Sequence, residues 1–145
     1  MLSLNNARRR WLCCCVATAC AGWASPLSSL AVEPEARLPV VLRPVPVAKG
    51  AYYVQGLSEL GSGANQNFIS NAGFVITDAG VVVIDALGSP ALAQQLLAEI
   101  RKLTTQPVKY VIVTHYHADH IYGLQVFKAA GATVVGHALA GEYLA

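Results

Sequence analysis

The stretch Thr114-His115-Tyr116-His117-Ala118-Asp119-His120 decides the fold, because it places chemistry directly after the apolar run of residues 108–113. It brings four potential metal ligands within six residues, namely His115, His117, Asp119 and His120. If extended backbone persists past the run, His115 and His117 point to one side and can bind one ion together. Asp119 and His120 come where the chain turns toward the next helix, so they can address a second ion. Imidazole nitrogen and carboxylate oxygen are ligands that zinc prefers, and the sequence therefore predicts a metal site.

The segments around the motif predict alternating strands and helices. Strands are expected over residues 51–55, 67–77, 81–84, 108–113 and 133–135, and helices from Ser89-Pro90 to residue 103 and over residues 121–129. Asp78-Ala79-Gly80 is a turn signal that predicts a hairpin, and the four β-branched residues at 81–84 predict a strand buried on both faces. The strand–helix–strand order predicts a parallel crossover. Sites in parallel α/β sheets lie beyond the carboxyl ends of strands, which is where the motif falls.

The N-terminus has the layout of an export signal. Arg8, Arg9 and Arg10 precede an apolar stretch over residues 11–23, and small residues follow. This stretch is shorter than the roughly 20 apolar residues that a transmembrane helix needs, so we predict a signal peptide over residues 1–31, cleaved after Ala31. A plain secretory signal and a twin-arginine signal both stay open. Either one predicts a periplasmic or secreted protein with no membrane span in its mature chain.

Removal of the signal peptide changes the composition on which function depends. All four cysteines lie in residues 1–31, so the mature chain has no disulfide, thiol ligand or cysteine nucleophile. Seven Lys and Arg then face eight Asp and Glu, a formal charge of −1, and no basic cluster indicates a nucleic-acid partner. Residues 32–49 contain four prolines and predict an extended linker or edge segment before a domain over residues 50–145.

The histidine motif resembles the signature of the metallo-β-lactamase superfamily, which includes glyoxalase II-like hydrolases. Residues 71–76 resemble the early strand of that family, and residues 80–86 resemble its turn and its Val-Val-Ile-Asp strand end. The resemblance covers residues 50–145 and implies an α/β (α+β) fold that is half of an αββα sandwich. It further implies that His115 and His117 serve a first zinc ion, and that Asp119 and His120 serve a second.

The ligand set implied by this resemblance is larger than the set in the sequence. The family's complete site also needs a later His for the first metal, a later bridging Asp and a final His for the second. Only His137 follows the motif, and no Asp follows Asp119. A lone histidine is a weak signal, so we interpret His137 as structural or surface. The sequence thus supplies at most two ligands for each metal, and we expect the chain to be a fragment or truncated product.

Three residues outside the ligand set lie near the predicted site. Asp85 ends a strand, and the resemblance suggests that it orients the histidine loop from behind the ligands. The alternative is a turn-forming or helix-capping aspartate. Tyr116 and Tyr122 flank the ligands, and packing is favoured over lining the site because tyrosine commonly fills half-buried positions.

The leading functional hypothesis is a zinc-dependent hydrolase, in its complete form, that acts on a small-molecule substrate. Metal-bound water with a pKa of about 7 would attack an ester, thioester or amide carbonyl, and Asp119 would be the catalytic residue that orients this water. A second hypothesis is an iron-dependent oxidoreductase like the persulfide dioxygenases, because His and carboxylate ligands also suit non-haem iron. A third is an inactive half-domain that exposes one sheet face. The substrate stays open among β-lactams, lactones and sulfur compounds.

Overall fold

The computed structural model describes residues 40–143. The predicted signal peptide and residues 32–39 of the proline-rich segment lie outside these residues. The elements described are β1 (Val45–Ala48), β2 (Ala51–Val54), β3 (Ala72–Thr77), β4 (Gly80–Ile84), α1 (Pro90–Leu103), β5 (Val108–Ile112), α2 (Ala118–Ile121), α3 (Leu124–Ala129), β6 (Thr133–Val135) and α4 (Ala140–Tyr143).

The strands form one mixed sheet in the order β1-β2-β3-β4-β5-β6. The pairs β1–β2, β2–β3 and β3–β4 are antiparallel. The pairs β4–β5 and β5–β6 are parallel. The predicted hairpin is confirmed, because Thr77 pairs with Gly80 across the turn. The predicted crossover is also confirmed, with α1 joining the parallel strands β4 and β5. Parallel strands bring their carboxyl ends to one edge of the sheet, so β4, β5 and β6 all end where the histidine motif begins.

Local sequence signals set the bounds of α1 as predicted. Ser89 is the N-cap, its side chain accepts a hydrogen bond from the backbone N–H of Leu92, and Pro90 occupies the first turn. Leucines and an isoleucine at helical spacing then form one apolar face. This face joins β3, β4, β5 and α3 in a single core that includes Leu92, Leu96, Ile100, Phe74, Val81, Val83, Val111 and Phe127. The core therefore lies between the helices and one face of the sheet.

The other face of the sheet is open in residues 40–143. The prediction that β4 is buried on both faces is wrong, since Val81 and Val83 are fully buried while Val82 and Ile84 are only half-buried. The neighbouring strands place further apolar side chains beside Val82 and Ile84, and they are 37–46% exposed: Val75, Tyr110, Ile112 and Val135. The two longest described helices, α1 and α3, pack on the opposite face, and the exposure of these side chains shows that this apolar surface is not covered among residues 40–143.

Two predicted boundaries are wrong, and the backbone explains both. The strand expected from residue 67 begins at Ala72, because Gln66 and Asn67 have φ of 51° and 61° and turn the chain in a loop. The single helix expected over residues 121–129 is two helices, α2 and α3, interrupted before Leu124. Gly123 lies at this break, where a Cβ would be 2.0 Å from the carbonyl oxygen of Ala86. The interruption between α2 and α3 therefore lies where the chain passes closest to the β4–α1 loop.

The first strand lies within the proline-rich segment. β1 forms the edge of the sheet, and it includes Pro46, which an edge strand tolerates because one side of its backbone needs no partner. An edge segment was one of the two alternatives that the sequence left open here. Among residues 40–143, no helix has the length and apolar character that crossing a membrane requires.

Candidate metal centre

The end of β5 and the start of α2 position the histidine motif. The strand stops at Ile112, so His115 and His117 lie in a loop rather than in the continued strand that the sequence suggested. His117 is the N-cap of α2 with extended backbone, and the next turn carries Asp119 and His120. The loop still brings the rings of His115 and His117 together, with centroids 4.6 Å apart. All four predicted ligands therefore lie in one cluster at the carboxyl edge of the sheet.

Two pairs of atoms in this cluster have the separation expected for ligands of one ion. His115 Nε2 lies 3.1 Å from His117 Nδ1, and His120 Nε2 lies 3.4 Å from Asp119 Oδ2. Two ligands that bind a tetrahedral zinc ion at about 2.0–2.1 Å are themselves about 3.3 Å apart. The donor types and their spacing thus fit the predicted pairs, His115 with His117 and Asp119 with His120.

The cluster is nevertheless not a complete metal site. In the part of the chain that the structure describes, no three His, Cys, Asp or Glu side chains are arranged to hold one ion. The rings of His115 and His120 pack with centroids 4.1 Å apart, and His115 and His117 share a hydrogen bond. The residues therefore fit two half-sites of two ligands each, and metal binding by them stays a prediction.

Asp85 supports the cluster from below. Asp85 is 4% exposed, and its carboxylate accepts three hydrogen bonds: from the backbone N–H of Thr114 at 2.8 Å, from the Thr114 hydroxyl at 2.7 Å and from His120 Nδ1 at 2.8 Å. The last bond leaves His120 Nε2 free to face Asp119. Asp85 itself has φ of 60°, a left-handed conformation that Asp tolerates better than most residues. These contacts support the orienting role of Asp85, which stays a prediction. Asp85 does not cap α1, since Ser89 is its N-cap, but the left-handed φ also agrees with the turn-forming alternative.

Two loops, the one before β3 and the one between β4 and α1, contact the turn that carries Asp119. The hydroxyl of Ser70, which is 5% exposed, donates to the carbonyl oxygen of Asp119. The carbonyl oxygen of His120 accepts a hydrogen bond of 2.8 Å from the backbone N–H of Ala86. A Cβ on Gly88 would lie 3.2 Å from the Cα of Asp119, so the β4–α1 loop also packs tightly against α2. These contacts fix the backbone at the second ligand pair.

The residues that flank the ligands differ in their surroundings. Tyr116 is 45% exposed and its ring meets that of His117 edge-on, with centroids 5.1 Å apart. Tyr122 is 58% exposed, so both rings are more open than the packing interpretation predicted. His137 is exposed, and its Nδ1 accepts the backbone N–H of Leu139 at 3.2 Å, which agrees with a structural or surface role.

Sequence reasoning gave no role to Thr114 or Ser70. Thr114 stands in the quoted motif, but its two bonds to Asp85 join residues that are 29 positions apart in the chain. Ser70 contacts Asp119 across 49 positions. No local pattern distinguishes such a serine from any other loop serine, and only the pairing of β3, β4 and β5 brings these residues together.

Comparison with protein families gives one match over more than half of the chain. Residues 66–144 match the model of the metallo-beta-lactamase superfamily. A metallo-beta-lactamase type 2 from Bacillus cereus is 32% identical over 85 residues, which are 59% of this chain and 33% of that protein. A linear primary-alkylsulfatase from a Pseudomonas species is 38% identical over 48 residues, which are 33% of this chain and 9% of that protein.

Solved structures show the same fold. A metallo beta lactamase from Hirschia baltica superimposes with a TM-score of 0.61 at 17% identity, covering 72% of this chain and 47% of that one. The likeness establishes the α/β sandwich architecture for the mixed sheet and its helices. The chain spans a third or less of the two curated relatives and about half of this structural neighbour.

Proposed function

The chain belongs to the metallo-beta-lactamase superfamily, and on that premise we propose that it supplies the first ligand cluster of a zinc-dependent hydrolase. In this proposal His115 and His117 bind one ion, and Asp119 and His120 bind the second. The relatives named above are hydrolases. Because this chain spans only part of their length, the activity is proposed for the complete protein.

The observation that carries the proposal is the spacing of the two ligand pairs. Their separations of 3.1 Å and 3.4 Å lie close to the edge of a zinc coordination tetrahedron. His120 is held on both sides: its Nε2 lies 3.4 Å from the Asp119 carboxylate, and its Nδ1 contacts the buried Asp85. An ordinary cluster of surface histidines does not require this arrangement. Metal-binding histidines typically donate their second N–H to a carboxylate in this way, as His120 does to Asp85.

The chemistry follows from the donor set. A divalent ion held by these four residues would supply Lewis-acid chemistry, the activation of water as a nucleophile and the polarisation of the bond to be cleaved. Asp119 is partly exposed beside His120, so its carboxylate can accept a hydrogen bond from the attacking water and orient it. The rigid backbone around Asp119, held by Ser70 and by the β4–α1 loop, keeps this carboxylate in place.

A small-molecule substrate fits the surroundings of the cluster. A pocket of about 210 Å³ adjoins His115 and has apolar walls that include Val113, Leu139 and Ala140. Small-molecule sites combine such apolar walls with a few polar groups. The predicted signal peptide supports the proposal that the enzyme acts in the periplasm or outside the cell. The absence of a basic cluster from the sequence after residue 31 supports a substrate other than nucleic acid.

Zinc binding to the purified chain tests the proposal directly. The metal-free protein is titrated with zinc, and in parallel with ferrous iron, while thermal unfolding and bound metal are measured. We expect zinc to raise the melting temperature, because a ligand present at about 100 times its Kd stabilises the folded state by about 2.7 kcal/mol. His117→Ala and Asp119→Asn should each weaken this response. His137→Ala is the matched control, since it removes a histidine outside the two pairs and should leave the response intact.

Two results would overturn the proposal. Equal zinc responses in the wild-type chain, His117→Ala and Asp119→Asn would show that the cluster is not the binding site. A preference for iron over zinc, with bound iron after purification from the native host, would favour the oxidoreductase alternative. Hydrolysis of a chromogenic cephalosporin, a lactone and an aryl ester by the longest form of the protein then identifies the substrate class.

A further inference from the structure

Thr114 stands between Asp85 and His115, and its hydroxyl contacts both. Thr114 Oγ1 lies 2.7 Å from Asp85 Oδ2 and 3.0 Å from His115 Nδ1. The backbone N–H of Thr114 donates separately to Asp85 Oδ1 at 2.8 Å. The backbone N–H of Thr114 therefore already connects this loop to Asp85, and the hydroxyl makes an additional contact with His115.

The direction of each hydrogen bond follows from counting protons. The Thr114 hydroxyl donates to Asp85 Oδ2, and a hydroxyl has only one proton to donate. The same oxygen can then only accept from the ring of His115. His115 must therefore carry its proton on Nδ1, and the lone pair of the neutral ring lies on Nε2. That nitrogen is the one that faces His117 Nδ1 at 3.1 Å.

We propose that Thr114 is a positioning residue that selects Nε2 of His115 as the metal-binding nitrogen. Through this relay one buried carboxylate sets the tautomers of two ligands, His120 by direct contact and His115 by way of the Thr114 hydroxyl. The inference rests on the proposed function only for its metal, because the tautomer of His115 is a property of the metal-free chain. A partner that fixes the tautomer of a ligand typically changes metal affinity about 10–100-fold.

Substitution at Thr114 distinguishes the effect of the hydroxyl from that of the backbone hydrogen bond to Asp85. Thr114→Val replaces the hydroxyl by a methyl group of similar size, and Thr114→Ser restores the hydroxyl without the methyl group. Heteronuclear NMR of the imidazole nitrogens, recorded without metal at a mildly alkaline pH where free imidazole is neutral, reports the tautomer of His115. We expect the Nδ1–H form in the wild-type chain and in Thr114→Ser, and its loss in Thr114→Val. Urea unfolding of each variant shows whether the loop has kept its stability.

Zinc affinity is the second measurement. Thr114→Val should bind zinc about 10–100-fold more weakly than wild type, and Thr114→Ser should recover most of the difference. If Thr114→Val does not fold, Thr114→Ala removes the same hydroxyl with less bulk and gives the same comparison. An unchanged His115 tautomer in the folded variants would overturn the inference, even if the wild-type chain binds zinc. A tautomer that changes in a chain that binds no zinc would support the relay and count against the proposed function alone.

Discussion

Replacement of Asp85 tests whether one buried carboxylate holds the cluster together. Asp85 accepts three hydrogen bonds and is 4% exposed. Hydrogen bonds to charged groups contribute about 1.5–3 kcal/mol each, which sets an upper range of about 4.5–9 kcal/mol for the three. Thr114 is exposed and the side chain of His120 is 18% exposed, so water can replace part of what is lost. We therefore expect Asp85→Ala to lower the free energy of unfolding by about 2–4 kcal/mol, because each donor left without a partner costs about 1–3 kcal/mol where water cannot reach it.

Asp85→Asn keeps the shape of the side chain and replaces one of its two acceptor oxygens by an amide donor. Asparagine tolerates the left-handed φ of 60° at this position as well as aspartate does, and its carbonyl oxygen can still accept the Thr114 N–H. Its amide group would face His120 Nδ1 as a donor, so the ring must move its proton to Nε2 to accept. We expect a smaller loss of about 1–2 kcal/mol in unfolding, together with weaker zinc binding because the second pair loses its nitrogen lone pair.

Urea unfolding followed by circular dichroism measures both variants. Asp78→Ala is the control, since Asp78 is an exposed residue of the β3–β4 turn, and such surface changes usually stay within about 0.5 kcal/mol. A loss below about 1 kcal/mol for Asp85→Ala would refute the reasoning, because it would mean that the three donors find equal partners elsewhere.

Three further substitutions test the scaffold by urea unfolding. Gly123→Ala should lower the free energy of unfolding by about 1–3 kcal/mol or more, because its Cβ would lie 2.0 Å from the Ala86 carbonyl oxygen. Gly141→Ala is the control, since its Cβ would have no atom within 4 Å, and it should leave this free energy unchanged. Equal effects of the two substitutions would argue against the tight contact at Gly123. Phe127→Ala removes a fully buried ring and should cost about 3–5 kcal/mol, and a loss near zero would mean that α3 does not pack in the core. Ser89→Ala removes the N-cap of α1 and should cost about 1 kcal/mol, with Ser89→Asp, which keeps a capping oxygen, close to wild type.

Features that depend on neighbouring residues could be predicted from the sequence. The N-cap, the proline and the helical spacing of leucines all act within a few residues of each other, so the bounds of α1 follow from them. The hairpin between β3 and β4 likewise follows from its turn residues. The prediction for β4 failed, because four β-branched residues indicate a strand but not how many layers cover it. Only the position of α1 and α3 shows that Val81 and Val83 face the core while Val82 and Ile84 do not.

The sequence by itself determined which residues are candidates for the proposed chemistry, because four ligand-type side chains within six residues are close together in any folded chain. Tertiary structure decided how they are held. Asp85 reaches His120 across 35 positions and Ser70 reaches Asp119 across 49, and these contacts exist only because β3, β4 and β5 pair side by side. Hydrogen bonds depend on distances of about 3 Å and on direction. The order of residues along a chain does not fix such distances between remote segments, and the packed sheet does.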